Sequence, residues 1–130
     1  MKRCTDLEQS KKLIEIGIDI NTADLLYSGV HLGTDGKYYK SDDNWIMTPE
    51  YFIQLPHNCT GDIKNQLPAW SLTALYQILG SPVLGKADNY FVILYYADKD
   101  RNMKRIICEG ESHVDACVDM ILKLHDQELL

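Results

Sequence analysis

The chain has 130 residues, of which 45% are hydrophobic and 25% charged, with a formal net charge of −6. These totals fit one folded domain with an ordinary core and exclude disordered and collagen-like classes. The negative balance repels phosphate backbones, so nucleic acid is not an expected partner, and the basic stretches at Lys2-Arg3 with Lys11-Lys12 and at Lys99 to Arg105 read as solvated surface.

No run of residues reaches the roughly 18 apolar positions that cross a bilayer. The start "MKRCTDLEQSKK" lacks the apolar stretch of a signal peptide. The expected location is therefore the cytoplasm, with no membrane association. There Cys4, Cys59, Cys108 and Cys117 stay thiols, and the sequon at Asn58 to Thr60 has no role. The cysteine separations of 55, 49 and 9 residues fit no zinc knuckle or ribbon, and no metal or other cofactor is expected.

In chain order, "TDLEQSKKLIEIG" predicts a first helix, with Thr5 and Glu8 at capping-box spacing and Gly17 as its stop. Asn21 or Thr22 is then expected to cap a short second helix through Ala23 to Leu26. From Ser28 to Leu67 the periodicity fades among glycines and prolines, and an irregular, aromatic middle is expected. Within it, "KYYK" and "NWIM" read as short strand fragments, and "TPEYFIQL" as a strand or one helical turn. Ser71 caps a helix from Leu72 to Leu79, closed by Gly80 and Pro82, and Trp70 just before the cap can staple onto Leu75. That role is preferred to a ligand platform.

Tyr90 to Tyr96 is an unbroken apolar and aromatic run, which predicts a strand covered on both faces. A polar loop from Asp98 to Asn102 returns the chain into "MKRIICEG", a second strand polar enough for an edge. Ser112 caps a last helix whose Val114, Cys117, Val118, Ile121, Leu122 and His125 recur at helical spacing and face the sheet. The whole, residues 1–130, is expected to be a single α+β domain in which an antiparallel hairpin-based sheet packs against helices.

The chemistry-bearing residues form no evident catalytic set. Cys59 lies two residues from His57 in "PHNCTG", where an imidazolium could activate the thiol, but no orienting group or oxyanion donor accompanies them. Cys108 and Cys117 are expected to pack as small hydrophobes. His113 is expected to be exposed, and His125 to lie near the negative end of its helix. Asp98, Asp100, Asn102 and Glu109 imitate a calcium loop, but Met103 stands where the turn needs glycine, and a hairpin is preferred. The remaining feature is a group of aromatics, Tyr38, Tyr39, Trp45, Tyr51 and Phe52. They either pack the middle segment down, the favoured reading, or form an exposed surface that touches another protein.

The segments "LIEIGIDINTADLLY", "LPAWSLTALYQIL" and "HVDACVDMILKL", in that order, resemble a family of small uncharacterised, often phage-related proteins of gut Bacteroides and their relatives. They make up about a third of the chain, while Val30 to Gln66 and Lys123 depart from the pattern. The resemblance implies a source among those bacteria and a mobile element, and it carries no activity, cofactor or catalytic residue onto a site. The expected function is thus that of a non-enzymatic accessory or interaction protein of a phage or mobile element, with another protein as partner. The alternative is a small cysteine-dependent enzyme using Cys59 with His57.

Overall fold

A computed structural model of the chain describes residues 2–32, 34, 38–47 and 66–130, with residues 28–32, 38–47 and 66 described through their backbone. Helix α1 (Leu7–Glu15) is capped one residue later than the sequence implies: Asp6 accepts from the Gln9 amide, and the Gln9 side chain accepts in return from the Asp6 amide at 3.1 Å. Thr5 does not cap the helix because its hydroxyl is occupied elsewhere. It is fully buried, accepts from the Trp70 amide at 3.0 Å and lies 2.7 Å from Ser10 Oγ.

The second helix expected after it is not formed. Ile20–Thr22 make a single 3-10 turn capped by Asp19, and Leu25 already begins strand β1 (Leu25–Leu32). Leu25 and Leu26 are held extended by pairing with Ala69 and Pro68 of strand β3 (Gln66–Ala69). Pro68 is tolerated there because β3 is an edge strand, paired on one side with β1.

Strand β2 (Tyr38–Met47) also corrects the picture of an irregular middle, since the two fragments read from the sequence belong to one strand. Its partner β1 pairs Ser28 with Trp45 and Val30 with Lys40, so the polar Ser41 to Asn44 are taken up opposite Gly29 as a bulge rather than ending the strand. The "TPEYFIQL" segment lies outside the described residues.

Helix α2 (Leu72–Leu79) has Ser71 as its cap and ends at Gly80 in the left-handed conformation, where glycine lacks the steric penalty of other residues. Strands β4 (Val83–Lys86), β5 (Tyr90–Ala97) and β6 (Met103–Gly110) follow, forming an antiparallel sheet ordered β4-β5-β6. The more polar β6 stands at an edge, as expected. Helix α3 (His113–Asp126), capped by Ser112, lies across β5 and β6.

The core is where α3 meets that sheet and α2. Leu75, Val92, Ile106, Val114, Cys117, Val118, Met120 and Ile121 are all buried in one cluster. Leu13 of α1 and the Trp70 ring close its other end. Among the described residues, three helices and two small antiparallel sheets therefore make one α+β domain. No described helix is long and apolar enough to span a membrane.

Candidate functional site

The strand β5 register decides which residues face the core and which face outward. Side chains alternate between faces along a strand, and directly paired residues share a face. Val92 pairs with Leu84 and Cys108, and Leu94 with Ile106, and all of these belong to the core cluster or pack on it. The other face therefore carries Val83, Ile93 and Ile107 in one register row, with Phe91 and Tyr95 on either side along β5.

The expectation of a strand sheltered on both faces is thus corrected. Val92 is fully buried, whereas Tyr95 is 52% exposed, and Val83 and Ile107 are 50% and 43% exposed. Helix α3 covers the inner face, and no described element packs across the outer one. Phe91 is half-buried because its ring lies over Gly85: a β-carbon built at Gly85 would fall 2.3 Å from the ring's Cζ. The glycine thus leaves a seat that the aromatic fills.

Two exposed charges frame the apolar row on β6. Arg105 pairs in register with Tyr95, and Glu109 with Phe91. Four residues apart on an extended strand, they stand roughly 13 Å from each other, too far to form an ion pair. Among the described residues neither takes part in an ion pair with any other group.

Two polar cavities lie among the described residues. The larger, of about 450 Å³, is an open groove between α1 and α3 lined by Glu8, Lys12, Glu15 and Asp119 among others. The other, of about 260 Å³, is lined by Lys2, Leu72, Tyr90, Glu111, Ser112 and His113. His113 is not exposed as expected: it is half-buried, its Nε2 lies 2.9 Å from the Gly85 carbonyl, and its ring meets Tyr90 edge-on at 4.8 Å. A carbonyl can only accept, so Nε2 carries the proton and donates. Ser112 Oγ caps α3 by accepting from the Asp115 amide at 3.1 Å, and it donates to the Asp115 carboxylate at 2.9 Å. Lys2 reaches Asp115 at 2.6 Å and Asp6 at 3.1 Å. The Ser112 hydroxyl in this cavity is thus committed to capping α3.

Asp115 sits at the centre of that network. Burial pushes its carboxyl pKa up, but hydrogen bonds from Lys2, Gln9 and Ser112 outweigh burial and hold it below the usual value. Burial likewise lowers the Lys2 ammonium, and its bonds to Asp115 and Asp6 leave it raised overall. The network clamps the N-terminal arm and α1 onto the start of α3.

Cys108 and Cys117 pack within the core as the sequence reading has them. Cys117 is fully buried, and burial together with neighbouring Cys108 pushes its thiol up to about 11. Desolvation also raises Cys108 and Cys4, so all three are poor nucleophiles near neutral pH. Trp70 is fully buried with its indole N–H donated to Thr22 Oγ1 at 2.9 Å, which suits a helix anchor rather than a ligand platform. Its amide and carbonyl are both taken by Thr5, while Asp24 holds the Ser71 amide at 2.8 Å and the Ser71 hydroxyl.

Asp98 spends its carboxylate within the β5–β6 turn, accepting from the Asp100 and Asn102 amides at 2.9 Å each. Among the described residues no group of three or more potential ligands could hold a metal.

Of the aromatics singled out in the sequence, the backbone places Tyr38 and Tyr39 on β2 opposite Leu32 and His31, and Trp45 opposite Ser28. Tyr51 and Phe52 lie outside the described residues, as do His57 and Cys59. The outer face of the β4-β5-β6 sheet escaped the sequence reading because an unbroken apolar run carries no alternation to tell an open face from a covered one. A usable signal was present in β6, where Arg105, Ile107 and Glu109 alternate with Ile106 and Cys108. Set against protein-family models, curated proteins and solved structures, the chain matches none of them.

Proposed function

We propose that this protein is an accessory interaction protein, without catalysis of its own, that docks through the outer face of its C-terminal sheet. The observation that supports it is the apolar row in which Val83 and Ile107 are exposed on either side of a partly buried Ile93, beside a half-exposed Tyr95. Contiguous exposed apolar surface on a folded domain marks a contact site, and an aromatic residue with a hydroxyl suits its margin. The three-segment resemblance alone supports the setting, a phage or mobile element of Bacteroides-like bacteria.

The test is a photo-crosslinking amino acid placed at Tyr95 and activated in the source cells. A discrete protein adduct that disappears in an Ile107→Lys variant is the expected result. Absence of any adduct, with the protein folded and present at normal level, overturns the reading.

A further inference from the structure

The docking face is self-complementary, and we infer that its occupant is a second copy of this chain. The inference rests on the reading of the face as a docking site and names what docks there. It follows from the register. The row Val83, Ile93 and Ile107 runs across the three strands. One residue pair to one side of it stand Tyr95 and Arg105, and one pair to the other side stand Gly85, Phe91 and Glu109.

A two-fold axis lying along the central row, between two sheets packed face to face, leaves each strand over its own copy and reverses its direction. Isologous interfaces have this property, that residue i meets j while j meets i. Here Ile107 packs on Ile107 of the second copy, Ile93 on Ile93 and Val83 on Val83. Tyr95 falls on Phe91, and Arg105 falls on Glu109, each contact occurring twice. The two charges that cannot reach each other within one chain thus become partners between chains. Facing sheets lie about 10 Å apart and turn by roughly 30°. At two residues from the axis that turn displaces the charges by about 3 Å, within the reach of an arginine side chain.

A two-fold axis along the strands makes no use of these charges. It keeps the strands parallel but reverses their order, so β6 falls over β4, Glu109 lies opposite Gly85 and Arg105 passes beyond the start of β4 at Val83. Opposite charges meet when the axis lies along the central row, and the apolar row supplies the attraction. The patch is small, a footprint of roughly 300 Å² on each copy for three strands of about five residues. That falls below ordinary stable interfaces, so the pair is a weak, concentration-dependent one.

Sedimentation velocity from low micromolar to near-millimolar protein tests this, using the wild type, Arg105→Glu, Glu109→Arg and the double variant. Both substitutions are at exposed positions, and circular dichroism confirms that each of the three variants is folded. The wild type is expected to pass reversibly from monomer to dimer. Each single reversal places like charges together twice and should weaken the pair by about tenfold or more. The double variant restores opposite charges and should recover most of the loss, which a merely structural role would not produce.

A wild type that stays monomeric throughout, or a double variant no better than the singles, overturns the self-pairing. If that monomer still gives the Tyr95 adduct with a different protein in cells, docking through the face stands and the second copy is not its occupant. If self-association persists undiminished in Ile107→Lys, a different surface joins the copies and this inference falls, whatever the crosslinking shows.

Discussion

A β-carbon at Gly110 would stand 2.9 Å from both the Ala116 amide nitrogen and Asp115 Cβ, because the first turn of α3 rests directly on the end of β6. Neither neighbour is the free end of a flexible side chain, so the helix itself would have to lift. Gly110→Ala is expected to cost about 1–3 kcal/mol, the usual penalty of overpacking, and urea titration checks it. An unchanged midpoint would mean that α3 does not rest on this strand. The opposite sign is expected at Arg101, which takes the left-handed conformation with φ of 63° in the β5–β6 turn. An L side chain is disfavoured there and glycine is not, so Arg101→Gly should raise stability by about 0.5–1 kcal/mol. A drop on thermal unfolding would show that the arginine side chain holds the turn in some other way.

Between elements, the attachment of α1 to α3 runs through one carboxylate. Asp115 has a lowered folded-state pKa despite its burial, so it stabilises the fold at pH above its ordinary unfolded value and loses that contribution as pH falls through the folded one. Asp115→Asn keeps the shape and removes the charge. It is expected to cost about 1 kcal/mol at neutral pH, and the difference from wild type should shrink as the pH falls below about 4. Stability curves measured from neutral to strongly acid pH that stay parallel for the two proteins would contradict this. The clamp was not legible in the sequence, since Asp115 is more than 100 residues from both Lys2 and Gln9 and nothing in their spacing brings them together. Local signals did much better. The Ser71 and Ser112 caps, the Gly80 stop and the turn after Asp98 stand where the sequence put them, because each depends on a few adjacent residues. Pairing between distant segments is what it hid: β1 and β3 hold Gly29 and Pro68, residues that read as loop until a partner strand supplies a bulge for one and an edge for the other. The same limit concealed the docking face, for the run from Tyr90 to Tyr96 shows that a strand is apolar but not how many layers lie on it.

For the molecule as a whole the consequence is a three-layer order that stops one layer short: α2 beside α3, then the β4-β5-β6 sheet, then an open apolar face. Ile106 and Ile107 measure this asymmetry with one chemistry in two adjacent positions. Ile106 is 6% exposed within the core cluster, and Ile107 is 43% exposed on the outer face. Truncating Ile106 to alanine leaves a cavity among Val92, the α3 side chains and Leu94, which should cost about 2–5 kcal/mol. Truncating Ile107 removes a side chain that is 43% exposed and leaves no closed cavity, so at concentrations where the protein is monomeric it should cost less than about 1 kcal/mol. Raising the protein concentration should open a difference for Ile107→Ala, because a second copy that binds only the folded face stabilises it by mass action and the variant forfeits that gain. Denaturant melts of both variants at two concentrations read all of this directly. Equal losses at Ile106 and Ile107 in the dilute protein would place a layer of the chain's own residues over the outer face, and with that layer there would be no open surface left for a partner to cover.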